Sequence, residues 1–233
     1  MEATVQTFPI IKEQGHLLLS IDGRRAIIDT GAPASMSTES FEFLGQRYAP
    51  PATLMGVTPQ GMGKLAGFQI DMLIGCDILS QHTIRIRWQE GLFDVGDDIA
   101  GGMISMPLET FMGLPIFPLK LGGNPAKAFF DTGAHLSYIN PALVKNEGST
   151  GQRNDFHPFG GHFVAPIYKV STALDNDPLD IEYGILPDNL QMVLGSIMNQ
   201  SDCTAVIGTQ LLETFDCTIA WSQKIISWQR VKK

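Results

Sequence analysis

Residues 26–35 read Ala-Ile-Ile-Asp-Thr-Gly-Ala-Pro-Ala-Ser, and residues 128–137 read Ala-Phe-Phe-Asp-Thr-Gly-Ala-His-Leu-Ser. Each copy is an apolar run that ends on an aspartate, Asp29 or Asp131, passes through Thr-Gly-Ala and reaches a serine, Ser35 or Ser137, at the same offset. A chain that repeats one supersecondary unit around a single acidic residue is expected to bring the copies together about a pseudo-two-fold axis. The two carboxylates would then face each other.

The flanking sequence supports the repeat. Leu17, Leu19 and Ile21 alternate with His16, Leu18 and Ser20, the period of a strand. Asp22-Gly23 supplies a tight turn, and Arg24 to Ile28 returns as the second strand of a hairpin that ends at Asp29. In the second half Leu114 to Leu121 and Ala126 to Asp131 flank Gly122-Gly123-Asn124-Pro125 in the same way. Downstream, Met72 to Leu79, Ile84 to Trp88 and Leu92-Phe93 are echoed by Ala205 to Leu212, Thr218 to Trp221 and Ile225 to Trp228. Gly75 in its apolar run corresponds to Gly208, and a glycine there implies close approach of another segment. Three landmarks in one order indicate duplication. The polar, glycine-rich stretch 94–102 is the expected boundary, giving halves 1–100 and 101–233. The halves are unequal: 46 positions separate Asp29 from Gly75 (75 − 29), but 77 separate Asp131 from Gly208 (208 − 131). The excess falls within 146–201.

Bulk composition narrows the function. The 233 residues suffice for a sizeable core, and 44% apolar with 17% charged residues is a globular balance. A formal charge of −8, without clustered Lys and Arg, excludes nucleic acid as the main partner. Cys76, Cys203 and Cys217 form no CxxC or Cys/His ligand spacing, so buried reduced thiols are expected and neither a disulfide framework nor a metal site. The first residues lack the basic and apolar regions of a secretory signal, and no apolar run reaches membrane-spanning length, so a cytoplasmic setting is expected.

Asp-Thr-Gly-Ala after an apolar strand, paired downstream with an apolar-Ile-Gly motif and present twice, resembles the aspartic proteases. Each half resembles a retropepsin subunit, and together they resemble a compact single-chain form of the bilobal pepsin arrangement. The resemblance implies an all-β protein of two pseudo-symmetric β-barrel lobes with an active-site cleft between them. It implies Asp29 and Asp131 as the catalytic pair, Thr30 and Thr132 as threonines bonding across the lobes, and Gly31 and Gly133 as glycines of the tight loops. Gly75 and Gly208 would lie where each catalytic loop packs. Like charges at contact distance cannot both ionise cheaply, so such a pair shares a proton. One carboxylate then takes a proton from water while the other polarises the peptide carbonyl, without metal, cofactor or covalent intermediate.

Two departures from the pepsin pattern matter. Ala32 and Ala134 stand where pepsins usually carry Ser or Thr, so a hydroxyl that could stabilise a carboxylate is missing. Activity is therefore expected at mildly acidic to near-neutral pH. No tyrosine lies between Ala49 and Gly75 to serve as a first-lobe flap residue. Residues 54–63, with Gly61, Met62 and Gly63, read either as a short mobile hairpin over the cleft or as an ordinary Gly/Pro loop. The longer second half offers Phe156 to Phe163, with Phe159, Gly160 and Gly161, as the better candidate for a substantial lid.

The remaining motifs have plainer readings. None of the five histidines sits in a nucleophile motif, and His135 reads first as a surface loop residue and second as a neighbour of the dyad. Residues 175–180 lack the glycine and glutamate of a calcium loop and read as a solvated turn. The ten methionines read as core. The sequence thus points to an aspartic endopeptidase, a monomer with both lobes in one chain, acting on an extended peptide. A binding module that keeps the fold without turnover is the alternative, and self-processing alone is a third.

Overall fold

The computed structural model describes residues 5–231. In the first half, strand His16–Ile21 turns at Asp22-Gly23 and returns antiparallel as Arg24–Ile28, pairing Leu18 with Ile27 and Ser20 with Arg25. Asp22 and Gly23 have φ of 50° and 72°, the primed turn that matches strand twist. Arg24–Ile28 then lies parallel to Met72–Ile74, whose other edge takes the antiparallel Met36–Ser37. The second half repeats this arrangement. Leu114–Leu121 and Asn124–Phe130 form the hairpin, with φ of 58° and 81° at Gly122 and Gly123. Asn124–Phe130 runs parallel to Ala205–Ile207, which takes the antiparallel Ser137–Ile139.

The halves share a further sheet. Its order is Gln6–Pro9, Leu92–Val95, Thr83–Arg87, then Phe215–Ala220, Ile225–Arg230 and Ile104–Pro107, three strands from each half in mirrored order. Thr83–Arg87 and Phe215–Ala220 pair antiparallel at the centre, Cys217 opposite Ile86. The stretch that reads as a polar boundary in fact begins inside a strand. Asp94 and Val95 are buried in this sheet, and only 96–103 connects the halves.

Strand alternation assigns side chains to separate cores. Leu17, Leu19 and Ile21 join the main cluster, which includes Phe93, Phe130, Phe215 and Trp228 and draws on both halves. Leu18, on the opposite face, joins Ile27, Met36, Met62, Ala66, Ile70 and Leu73 in a cluster of the first half. Cys76, Cys203 and Cys217 are unpaired and buried.

Residues 54–63 do not form the hairpin that was one reading of the sequence. Leu54 and Val57 make an isolated bridge, and Pro59–Ala66 is an α-helix. Thr58 caps it by accepting from the Gly61 N–H at 2.9 Å, Pro59 occupies the first turn, and Gly67 closes it at φ 79°. Gly61, Met62 and Gly63 are therefore helical, with Met62 in the core. A Cβ at Gly63 would lie 2.7 Å from the Phe68 carbonyl, so its glycine allows close packing where composition suggested flexibility. The excess length of the second half holds a long hairpin, Gly151–His157 with Gly161–Lys169, a short one, Thr172–Leu174 with Asp177–Leu179, and the helix Asp188–Gln200. The 175–180 stretch lies at that short hairpin, where Asp177 pairs with Arg230.

Asp94 ties the outer strand to the shared sheet. Its carboxylate is 1% exposed and accepts from the Thr7 hydroxyl at 2.7 Å, from Arg85 Nε at 2.9 Å and from Arg87 Nε at 2.8 Å. Thr7 and Arg85 are its cross-strand neighbours on either side, so strand register alone delivers both donors. Burial by itself would raise this acid, but the hydrogen bonds from Arg87, Thr7 and Arg85 outweigh it and hold the pKa at about 2. A depressed carboxyl contributes stability that is complete above its unfolded value near 3.9 and is lost as pH falls through about 2. Asp94→Asn should lower unfolding free energy at neutral pH by about 2–3 kcal/mol in urea titrations. It should also flatten the loss of stability between pH 4 and pH 2 relative to wild type, an outcome that surface pairing alone would not produce.

Candidate active site

The two Asp-Thr-Gly loops hang from the ends of their strands and meet. The Asp29 N–H donates to the Ile74 carbonyl at 3.0 Å, and the Asp131 N–H to the Ile207 carbonyl at 2.9 Å, continuing the parallel ladders past the last strand residue. The threonines then cross between the halves. Thr30 Oγ1 donates to the Phe130 carbonyl at 2.7 Å and accepts from the Thr132 N–H at 3.0 Å. Thr132 Oγ1 donates to the Ile28 carbonyl at 2.7 Å and accepts from the Thr30 N–H at 3.0 Å. Both threonines are fully buried, so each hydroxyl satisfies backbone groups that have no water.

Glycine is required next to each threonine because there is no room for more. A Cβ at Gly31 would lie 2.3 Å from the Asp131 carboxyl carbon, and one at Gly133 would lie 2.4 Å from that of Asp29. The same residues donate backbone N–H groups to their own aspartates at 2.8 Å. Gly75 and Gly208 lie behind the loops, where a Cβ would come within 2.7 Å of the Ala32 carbonyl or 2.6 Å of that of His135. Their N–H groups donate to the Ser35 and Ser137 hydroxyls at 2.9 and 3.1 Å, which gives the repeated serines a structural role. The halves differ here. Ser35 Oγ also donates to Asp77 at 2.6 Å, whereas the matching position holds Gln210, whose buried Oε1 has no partner.

Asp29 and Asp131 are brought together by the two loops, each carboxyl against the glycine of the opposite loop, and both are only partly exposed. Burial is the largest influence on both, and it raises both. The Asp131 charge raises Asp29 further, against hydrogen bonds from the Gly31 and Ala32 backbone. For Asp131 the opposing bonds come from Gly133, Asp29, Ala134 and Gly31. The pair therefore holds its shared proton at a higher pH than an isolated carboxyl would, and the titration belongs to the pair. Such an arrangement can hold a water between one acid and one base. Among the described residues, no group of three or more His, Cys, Asp or Glu is placed to hold a metal.

The long hairpin of the second half crosses to the first. Phe156 packs against the cluster of Leu18, Met36 and Met62, and its ring centroid stands 5.9 Å from that of His16. The Tyr138 hydroxyl, seven residues beyond Asp131, donates to Asp155 and anchors the hairpin to its own half. Phe159 at the tip is exposed, and Gly160 packs on Leu190 of helix Asp188–Gln200 so tightly that a Cβ would lie 2.9 Å from its side chain. Gly161 has φ 69° and begins the return strand. A hollow of about 580 Å³ between this helix and Tyr138–Pro141 contains neither aspartate.

Sequence reasoning passed over His16. It is 6% exposed, and its ring packs against Phe68 and Phe156. The available signal was its position on the same strand face as the buried Leu18. His135 is not the surface residue of the first reading. Its ring packs on Gly15, and its Nδ1 lies 3.1 Å from the Thr209 hydroxyl, which donates to the Gly15 carbonyl at 2.5 Å.

Thr30→Val keeps the volume of the side chain but leaves the Phe130 carbonyl and the Thr132 N–H buried without partners. It should cost about 2–4 kcal/mol in chemical denaturation. Thr30→Val combined with Thr132→Val should cost less than the sum of the two single changes, because both act on one network.

No family model matches the chain, and no curated protein matches it in sequence. Among solved structures, the aspartic proteinase of Irpex lacteus superposes with a TM-score of 0.52 at 10% identity, over 98% of this chain and 98% of that one. At that identity the likeness establishes the fold alone: this mostly β, multi-sheet chain folds like an aspartic proteinase.

Proposed function

We propose that this protein is an aspartic endopeptidase that hydrolyses peptide bonds with a water activated by Asp29 and Asp131. The observation that carries the reading is the carboxyl pair itself: two mirrored loops set each acid against the glycine of the opposite loop, and burial raises the proton affinity of both. The fold likeness to an aspartic proteinase adds support. In this reading 1–100 and 101–233 are two retropepsin-like lobes, and an extended peptide lies between them under the hairpin tipped by Phe159, Gly160 and Gly161. Thr30, Gly31, Thr132, Gly133, Gly75 and Gly208 keep the acids in place. The reaction uses no metal or cofactor. The protein acts as a monomer in the cytoplasm, a setting compatible with three unpaired buried cysteines.

One feature favours the alternative of a peptide-binding module without turnover. Phe156 reaches the core cluster of the opposite half, so the cleft is spanned by the chain's own hairpin. Cleavage of a diverse peptide library decides between them. Wild type should cut, and Asp29→Asn and Asp131→Asn should each lower kcat/KM by at least about 10²–10⁴-fold. Activity requires one carboxyl protonated and one ionised, so raised proton affinities move both limbs of the profile upward. The optimum should be mildly acidic to near neutral. A peak below about pH 3 contradicts the assigned electrostatics, and peptide binding without cleavage at any pH establishes the alternative.

A further inference from the structure

The lid meets the first half on a group that can change its charge. His16 is 6% exposed, and its Nδ1 has no hydrogen-bond partner. Its ring centroid lies 5.4 Å from that of Phe68 of its own half and 5.9 Å from that of Phe156 of the hairpin, two tilted ring contacts that join the two. Phe156 continues into the apolar cluster of Leu18, Met36 and Met62. On the hairpin's other side, Tyr138 holds Asp155. The lid is thus fixed to its own half by the Tyr138–Asp155 bond and by strand pairing of Ile167 to Lys169 with Glu182–Gly184, and to the opposite half by apolar and ring contacts around one imidazole.

We propose that His16 is the positioning residue of the lid: its neutral ring is the wall against which Phe156 closes, and its protonation releases the hairpin Gly151–Lys169 from the first half. The inference extends the endopeptidase reading by giving the same cleft a pH-dependent entrance. Several charged groups surround the ring. Asp155 on the hairpin favours the imidazolium, and His135 on the Asp131 loop opposes it. Glu13, opposite His16 in the strand register, is engaged by Arg25 at 2.9 Å. The Gly133 backbone favours the protonated form. Burial outweighs these influences and lowers the pKa of His16 in the closed state.

The sign follows from that depression. A histidine freed by lid opening returns to an ordinary value near 6.5, so the open state gains protons more readily than the closed one. Closure is fully supported above about pH 6.5 and weakens as pH falls below it. An imidazolium between two phenyl rings, with a proton on the unpartnered Nδ1, is a buried donor that opening the lid would hydrate. The cleft would therefore be most accessible in the acidic range, where the dyad also keeps its proton.

Hydrogen exchange of the hairpin amides, corrected for intrinsic rates, reads the lid without reference to catalysis. In wild type, protection of 154–164 should fall as pH drops from 8 to 5, while the Thr83–Arg87 strand stays protected. His16→Phe keeps a ring in the stack and removes the titration, so its lid should stay protected across the range. Phe156→Ala, a change in the half-buried hairpin, should expose the lid at every pH and supplies a second test where His16→Phe fails to fold. His157 also titrates near the tip and has its pKa lowered by burial, so His157→Asn is the control and should preserve the pH response. Lid protection that does not vary with pH in wild type overturns the proposal. So does a response that survives in His16→Phe or disappears in His157→Asn. Because exchange is measured without substrate, a functioning switch with no cleavage refutes the endopeptidase reading alone, and cleavage with a pH-independent lid refutes this proposal alone.

Discussion

The reciprocal bonding of Thr30 and Thr132 is the constraint on which the rest of the site depends. Each hydroxyl donates to a carbonyl at the end of the opposite half's strand and accepts the opposite threonine's N–H. Four buried bonds thereby fix one loop relative to the other in distance and in rotation. The arrangement tolerates no slack, since a single methyl on Gly31 or Gly133 would enter the facing carboxyl. The aspartates are adjacent because their neighbours in sequence are locked, and their own mutual repulsion is opposed by backbone geometry they do not control. Similar logic governs the shared sheet, where Thr83–Arg87 and Phe215–Ala220 pair and close the halves into one core.

Much of this was legible in the residues. Duplication, the two hairpins, the strand that ends at each aspartate and the close packing at Gly75 and Gly208 all follow from motifs repeated in fixed order. Local chemistry sufficed there because turn residues and strand period determine each unit by themselves. The helix Pro59–Ala66 was misread because two glycines inside it lowered its apparent propensity. Its boundaries were nevertheless written as Thr58-Pro59 and Gly67, and tertiary packing against Phe68 and Ile70 is what makes Gly63 an asset. The polar stretch from Asp94 misled for a related reason. A charged residue reads as surface until its register partners, Thr7 and Arg85, are known, and those lie 87 and 9 residues away.

The surroundings of His16 were not legible. Its neighbours Phe68, Phe156 and the loop that carries His135 come from three separate segments, and no short-range pattern brings them together. The long hairpin was partly legible, since the unequal spacing placed extra chain in the second half and the Phe-Gly-Gly stretch suggested a turn. That Phe156 would seat in the other half's cluster needed the fold.

Pseudo-symmetry places the acids, and the two halves differ around them. Two identical carboxyls in identical settings would share a proton evenly, with neither committed as acid or base. Here the surroundings differ in ordered ways: one half carries a hairpin whose Phe156 packs on the other half's cluster and the other a capped helix, and Asp77 bonds to Ser35 where Gln210 leaves an oxygen without a partner. Burial raises both acids, and their titration belongs to the pair. A duplicated frame supplies the contact distance that forces proton sharing. The unequal segments, hairpins and the helix Asp188–Gln200 in the second half and the helix Pro59–Ala66 in the first, are grafted outside the strands that carry the threonines, so they can change without disturbing the threonine lock beneath.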